Sequence, residues 1–166
     1  MNSMKNSLRS PFSLLAGVSI FKKGFNVISK ILVSVGIVFY ALVVPYFEIN
    51  DTHVFNPNWE AHARLHEVWQ LATNCLIGIF SLWLIWIKEK ILPASILTMF
   101  ITLGFMIAYF TRDSYGGSMV LSDGTEKVVA GINIGVLGFG IAIIFVIIAV
   151  IIENRGESAS GKINCG

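Results

Sequence analysis

Residues 128–152 read VVAGINIGVLGFGIAIIFVIIAVII, a run without any charged residue between Lys127 and Glu153. A helix needs about 20 apolar residues to cross roughly 30 Å of hydrocarbon, so this run is long enough to span a membrane. Three further runs are bounded by charged residues in the same way. The sequence therefore predicts four transmembrane helices, at about residues 28–47, 68–87, 91–111 and 128–152.

The composition agrees with this class of protein. Of the 166 residues, 55% are hydrophobic and only 13% are charged, and the mean hydropathy is +0.74. Soluble domains are about 25% charged, so this balance excludes disordered, nucleic-acid-binding and ordinary soluble proteins. The runs are continuous and do not alternate apolar with polar residues, which excludes transmembrane β-strands. We therefore expect an all-α, integral membrane four-helix bundle, a single domain over residues 1–166, whose partners are membrane lipid and not nucleic acid.

The two ends of the chain differ from the spans. Residues 11–21 are apolar but too short to cross a membrane, and their apolar side chains recur at helical spacing beside Lys22 and Lys23. This pattern predicts a short interfacial N-terminal helix. Residues 156–166 are polar and rich in Ser and Gly, which predicts a disordered tail.

The positive charges predict the orientation. Nine of the twelve Lys and Arg residues lie in the N-terminal segment, the loop between the second and third spans, and the tail. The other side has only Arg64, Arg112 and Lys127. The positive-inside rule then places both termini in the cytoplasm, and for a bacterial chain the membrane is the inner (plasma) membrane. With Cys75 inside a span and Cys165 in the tail, no disulfide framework is expected.

Small residues form one narrow stripe on the predicted fourth helix: Gly131, Gly135, Gly138 and Ala142. Such a stripe lets two helices approach closely in lipid. It allows two interpretations, packing against another span of the same chain, or docking of a second copy or of another membrane protein. The charge-free runs, residues 31–47, 68–87, 91–111 and 128–152, contain no Asp, Glu, Lys, Arg or His, which counts against a pump or an ion-coupled transporter.

All three histidines, His53, His62 and His66, lie in one predicted outer segment, residues 53–70. Asn56-Pro57-Asn58 is a helix-start signal, so the second helix should begin near residue 58 and extend outward from the membrane. On that helix His62 and His66 are one turn apart, and Gln70 continues the same side. We expect them to share a pocket with the outer loops, with Gln70 deepest. Glu60, Arg64 and Glu67 cluster on the other side, which is typical of a solvated or loop-docking face.

The histidine pair allows two chemical interpretations. Two His residues one turn apart can bind one divalent metal, with a third ligand from His53, Asp51, Glu48, Asp113 or Asp123. The metalloprotease pattern H-E-x-x-H is absent because residue 63 is Ala. In the other interpretation the histidines hydrogen-bond loop carbonyls and anchor the loop over the bundle.

The same segment carries a resemblance. The run His53-x-Phe55-Asn56-Pro57-x-Trp59-x-x-His62-Ala63-Arg64-x-His66-x-x-Trp69-Gln70 resembles the signature of small four-span membrane proteins of fungi and bacteria. The rest of the chain is similar to them in hydropathy only. The resemblance implies the four-span architecture and singles out this segment, but names no reaction, because no activity is known for that family. The layout is also similar to DoxX-like proteins, without a shared residue motif.

Three classes of function follow. The first is a membrane protein that binds a small molecule, a metal or a partner at its outer face through residues 53–70. The second is a metal- or His-dependent membrane enzyme acting on a lipid or small substrate. The third is an accessory subunit of a larger membrane complex, docked through the small-residue stripe of the fourth helix.

Overall fold

The computed structural model describes residues 27–121 and 123–163. Its four long helices are α1 (Val27–Glu48), α2 (Ala61–Trp86), α3 (Ile91–Thr111) and α4 (Ile134–Ile163). Each is long and apolar enough to cross a membrane, so the predicted all-α bundle of four spans is confirmed. The interfacial helix predicted around residues 11–21 lies outside the described residues.

The two ends of the bundle are built differently. At the end that we call the turn end, residues 87–90 join α2 to α3 in a tight turn. Glu89 there has a positive φ of 55°, and the Lys90 amide donates to the Leu84 carbonyl at 2.8 Å. At the other end, the loop end, residues 49–60 join α1 to α2 and residues 112–133 join α3 to α4. The connections at the loop end are therefore much longer than the one at the turn end.

Helix α1 contains a π-helical segment, Phe39–Val43, between α-helical turns. A π-turn inserts one extra residue and so shifts the face that the following residues present. The Cys75 thiol of α2 donates to the Ala41 carbonyl inside this segment at 3.1 Å. Pro45 follows at the start of the last α-helical turns, where its missing amide donor does little harm.

The second helix begins later than the sequence predicts. Its N-cap is Glu60, because Asn56 is used inside the preceding loop. The Asn56 side chain is buried; it donates to the Thr52 carbonyl at 3.0 Å and accepts from the Asn58 amide at 3.0 Å. Asn56 thus closes an Asx turn that shapes the loop, and it does not cap the helix.

The fourth helix also begins later, at Ile134 and not at residue 128. Val128–Val129 (β1) pairs antiparallel with Ile132–Asn133 (β2). The two residues between them, Ala130 and Gly131, both have positive φ, as a two-residue type I′ hairpin requires. The Asn133 side chain then caps α4 by accepting from the Gly135 amide at 2.8 Å. The placement of Gly131 on the helical stripe is therefore wrong.

The remaining residues of the stripe pack inside the chain. Gly138 lies against the Phe39 ring so closely that any side chain at residue 138 would overlap it. A side chain at Gly135 would meet the Phe105 ring, at 3.1 Å from its Cβ, and Ala142 is buried. The stripe thus brings α4 close to α1 and α3, as the first of the two interpretations requires. Helix α4 itself continues to Ile163, through the first residues of the tail that the sequence predicts to be disordered.

Aliphatic side chains fill the half of the bundle near the turn end: Val33, Ile37, Ile85, Ile91, Ala94 and Ala149. An ion pair joins the buried Lys30 of α1 to the exposed Glu89 of the turn, with 3.1 Å between Nζ and Oε1. The Ser29 hydroxyl donates to the Ala149 carbonyl at 3.2 Å. These contacts close the bundle at the turn end.

Candidate functional site

A cavity of about 730 Å³ lies at the loop end, between the four helices and the two long loops. Its volume falls in the range of about 300–1,000 Å³ that is typical of small-molecule sites. The 49–60 loop contributes Thr52, His53 and Trp59, and Ser118, Met119, Val120 and Leu121 of the other loop lie over it. The helices thus form the walls of the cavity, and the loops cover it.

The floor of the cavity is aromatic. Phe105 of α3 and Phe139 of α4 stack with 4.1 Å between ring centroids, and Phe39 of α1 meets Phe139 edge to face at 5.2 Å. The backbone contact between Gly138 and Phe39 fixes where these rings stand. An apolar group that enters the cavity therefore finds a rigid aromatic surface at its base.

The upper wall of the cavity carries the polar side chains. We refer to them as the polar rim: Glu48, Thr52, His53, Glu67, Gln70, Asn74 and Lys127. They come from α1, from both loops and from α2. The cavity is therefore apolar below and hydrogen-bonding above, which matches an amphipathic ligand.

Glu48 and His53 share one proton within the rim. The Thr52 hydroxyl donates to Asn50 Oδ1 at 2.6 Å, so His53 Nδ1, at 2.8 Å from the same hydroxyl, must donate to it. The opposite ring nitrogen, Nε2, lies 2.9 Å from Glu48 Oε2. That contact needs exactly one hydrogen, carried either by the carboxyl group or by the imidazole.

The surroundings favour the neutral imidazole. Burial lowers the pKa of His53 below its usual value, and the nearby ammonium group of Lys127 lowers it further. A neutral His53 with its proton on Nδ1 accepts the Glu48 carboxyl proton at Nε2. The pair can therefore give a proton to a bound molecule, or take one from it, without a large rearrangement.

Glu67 is the second carboxyl group of the rim. Within the described ranges 27–121 and 123–163, its side chain makes no hydrogen bond or ion pair. It is close enough to Glu48 that an ionised Glu67 disfavours ionisation of the Glu48 carboxyl group. Among the described residues that line the cavity, Lys127 is the only Lys or Arg, and its ammonium group lies 5.6 Å from the Phe47 ring.

The structure separates the predicted site residues into two groups. His53 and Gln70 line the cavity, as expected, but His62 and His66 do not. These two are exposed on the outer surface of α2, with 3.0 Å between their Nε2 atoms, and His66 stacks on Trp69. The prediction that they share a pocket with the outer loops is therefore wrong.

The helical phase of α2 explains this correction. Its buried residues are Leu71, Gly78, Ser81 and Ile85, which lie on one face. At 100° per residue, His66 and His62 are rotated roughly 100° and 150° away from that face. Glu67, which the sequence assigns to a solvated or loop-docking side, lies on the buried face and lines the cavity.

The histidine pair also lacks a further metal ligand. In the part of the chain that the structure describes, no group of three or more His, Cys, Asp or Glu side chains is arranged to hold a metal ion. None of the five third ligands considered from the sequence joins His62 and His66. The divalent-metal interpretation therefore has no support in the geometry of these residues.

Sequence reasoning missed the role of Glu67 and of Lys127. For Glu67 a signal was present, because it lies four residues before Leu71 and seven before Asn74, in phase with the small and apolar residues that continue down the helix. Lys127 gives no such signal, because the hairpin of β1 and β2 places it.

No family model, curated protein or solved structure matches the chain. The function must therefore be inferred from the cavity itself.

Proposed function

We propose that this multi-pass membrane protein binds a small amphipathic molecule in the loop-end cavity. The observation that carries the proposal is the cavity of about 730 Å³, with its aromatic floor and its polar rim. The apolar part of the molecule packs on Phe105 and Phe139, and its polar head reaches Glu48, His53 or Gln70. The 53–70 segment contributes through His53, Trp59, Glu67 and Gln70 and not through the exposed histidine pair.

The orientation belongs to the same proposal. With nine of twelve Lys and Arg residues on the turn-end side, the turn end faces the cytoplasm together with both termini. The cavity then opens on the outer side of a bacterial inner membrane. A reporter that is active only in the cytoplasm should work when fused after Gly166 and fail when inserted near Asn58; the reverse result contradicts this orientation.

Photolabelling tests the binding proposal. The protein is reconstituted in nanodiscs of synthetic phosphatidylcholine with hexadecanol that carries a diazirine at the end of its chain. After illumination, labelled peptides are identified by mass spectrometry. We expect labels to concentrate on residues that line the cavity floor, such as Phe105 and Phe139, and to decrease when unlabelled hexadecanol is added.

Two neighbouring substitutions give the matched control. Asn74→Phe places a ring into the cavity and should reduce labelling of the floor, whereas Thr73→Phe, one residue away and outside the lining, should not. Labels spread evenly over lipid-facing residues, and equally in both variants, would contradict the proposed function.

The shared proton of Glu48 and His53 favours a second candidate, an enzyme that uses this pair for acid–base chemistry on a bound lipid. Incubation with a lipid extract, followed by mass spectrometry, should then reveal a product. His53→Gln should abolish that product, whereas His66→Gln, on the exposed surface of α2, should not. A product that survives His53→Gln rules this candidate out.

A further inference from the structure

The polar rim carries two carboxyl groups, Glu48 and Glu67, and one ammonium group, Lys127. Glu48 shares its proton with His53, but the Glu67 side chain has no hydrogen-bond or ion-pair partner among the described residues. Lys127 is exposed in its loop, whereas both carboxyl groups are partly buried. A partly buried carboxylate without a partner is unfavourable. A ligand that supplies a positive charge would remove this cost.

We infer that the ligand is a single-chain amphiphile with a cationic amine head, and that Glu67 is the carboxylate that binds the amine. This inference rests on the proposed function. An anionic head would face two carboxyl groups and one ammonium group, and a neutral head would leave Glu67 without a counter-charge.

The aromatic side chains of the rim support an ammonium head in a second way. Trp59 lines the cavity next to His53, with 5.7 Å between the two ring centroids. An ammonium group is attracted to the face of a tryptophan as well as to a carboxylate. Trp59 and Glu67 therefore provide the two kinds of group that bind alkylammonium ions.

The ligand can enter the cavity from the lipid-facing surface of α3. Phe100 lines the cavity although 68% of its surface is exposed. Gly104, one turn further on, also lines it, and a side chain added there would meet nothing within 4 Å. At 1.5 Å per residue these positions lie about 16 Å and 10 Å below the end of the helix at Thr111. The cavity therefore borders the hydrocarbon, and an amphiphile dissolved in the bilayer can enter beside α3.

Competition in the same labelling assay tests the ligand class. The diazirine-bearing hexadecanol is displaced by unlabelled hexadecylamine, hexadecanol or hexadecanoate, at a pH near 7 where the amine is protonated. We expect the amine to displace the label at an at least about ten-fold lower concentration than the other two, because a hydrogen bond to a charged group contributes that much. Glu67→Gln should remove this advantage, whereas Glu60→Gln, at the exposed N-cap of the same helix and outside the cavity, should retain it.

The outcomes separate the two proposals. If the cavity is labelled but the three competitors act equally, the amine inference is overturned and the proposed function stands. If the cavity is not labelled at all, the proposed function fails, and the amine inference fails with it. If Glu67→Gln does not fold, Glu67→Asp replaces it, because aspartate keeps the charge and shortens the side chain. Loss of the amine advantage in Glu67→Asp supports a positioned carboxylate. An unchanged amine advantage in Glu67→Asp contradicts a positioned carboxylate.

A pair of tryptophan substitutions tests the route of entry. Gly104→Trp should slow labelling of the cavity floor several-fold, because the ring fills the open space beside α3. Leu103→Trp, which is exposed next to it but does not line the cavity, should label at the wild-type rate. Equal rates in both variants would show that the ligand enters through the loops instead.

Discussion

The two halves of the bundle differ although the same four helices build both. Near the turn end, Val33, Ile85 and Ala149 are completely buried, and the ends of α2 and α3 are held by a tight turn and an ion pair. Near the loop end, the helices enclose a cavity of about 730 Å³ with polar and charged side chains on its upper wall. The difference shows that a closed, well-packed half can hold the walls of an open half in place.

Close helix contacts mark the boundary between the two halves. A side chain at Gly78 of α2 would overlap Ala41 of α1, and one at Gly138 of α4 would overlap Phe39. Beyond these contacts, towards the loop end, the helices surround the cavity, whose lining combines phenylalanine rings, aliphatic side chains such as Leu71 and polar groups. The long loops then cover what the helices leave open.

The largest effect is expected at this boundary. Gly138→Leu must displace the Phe39 ring, so it should lower the free energy of unfolding by about 3 kcal/mol, the cost of overpacking a close contact. Thermal or denaturant unfolding in mild detergent measures the change. The floor of the cavity should be lost at the same time, because Phe39 is part of it.

Gly104→Leu is the matched control for that substitution. It introduces the same side chain into a helix, but at a position with open space around it. Its stability should stay within about 0.5 kcal/mol of the wild-type value. Equal destabilisation by the two substitutions would show that the boundary is not a close contact.

The next effect tests how the turn end is closed. In the pair of Lys30 and Glu89 the lysine side chain is only 9% exposed, so Glu89→Gln leaves a buried ammonium group without its carboxylate. We expect a loss of about 2 kcal/mol, less than for a fully buried pair because the Glu89 side chain is 76% exposed.

An exposed ion pair provides the comparison. Arg112 and Asp113 lie 3.8 Å apart, and the Asp113 side chain is almost fully in solvent. Asp113→Asn should therefore change stability by less than about 0.5 kcal/mol. If Glu89→Gln is equally mild, the turn end is closed by apolar packing alone.

The sequence predicts the closed half of the bundle better than the open half. Long charge-free runs predict membrane-spanning helices independently of the loop structure. The positions of the four spans therefore follow from the charged residues that bound the runs, such as Lys88, Lys90 and Glu153. The start of α4 does not follow, because the run from 128 to 152 stays apolar while its first residues form a hairpin. The pairing of β1 with β2, the positive φ of Ala130 and Gly131, and the hydrogen bonds of Asn133 determine that boundary.

The candidate site is predicted only in part, for a related reason. His53 and Gln70 belong to it, but the emphasis on His62 and His66 follows from residue type and from their spacing of one turn. Which side of α2 faces the interior depends on the small and apolar residues further along the helix, such as Gly78 and Ser81. Loop residues such as Lys127 reach the cavity because of the tertiary structure, which the spacing of apolar residues in the sequence does not predict.

The cap of α4 gives a smaller effect at the loop end. Asn133→Ala removes the acceptor for the Gly135 amide and also the hydrogen bond from Asn133 Nδ2 to Glu126, which is 3.1 Å long. A loss of about 1 kcal/mol is expected for an N-cap. Asn58→Ala, at the position from which the sequence predicts the second helix, should change little because α2 starts beyond it. A larger loss for Asn58→Ala than for Asn133→Ala would contradict both helix starts.

The smallest effect is the pH dependence that His53 contributes to stability. Because burial and Lys127 lower the pKa of His53, the folded protein binds its proton at lower pH than the unfolded chain does. His53 therefore contributes stability that is fully present above its ordinary pKa, near 6.5, and is lost as the pH falls through that value towards the lower pKa of the folded state. Glu48 contacts the imidazole, and Glu67 and Lys127 line the same cavity in both proteins, so the difference between the two stability curves is the informative quantity. The measurement is the unfolding free energy of the wild-type protein minus that of His53→Gln, taken between pH 7 and pH 4. This difference should fall as the pH decreases. A difference that rises instead would mean that the Glu48 carboxylate outweighs burial and Lys127, and that the folded protein holds His53 as the imidazolium. The shared-proton geometry, on which the second candidate function depends, would then be absent.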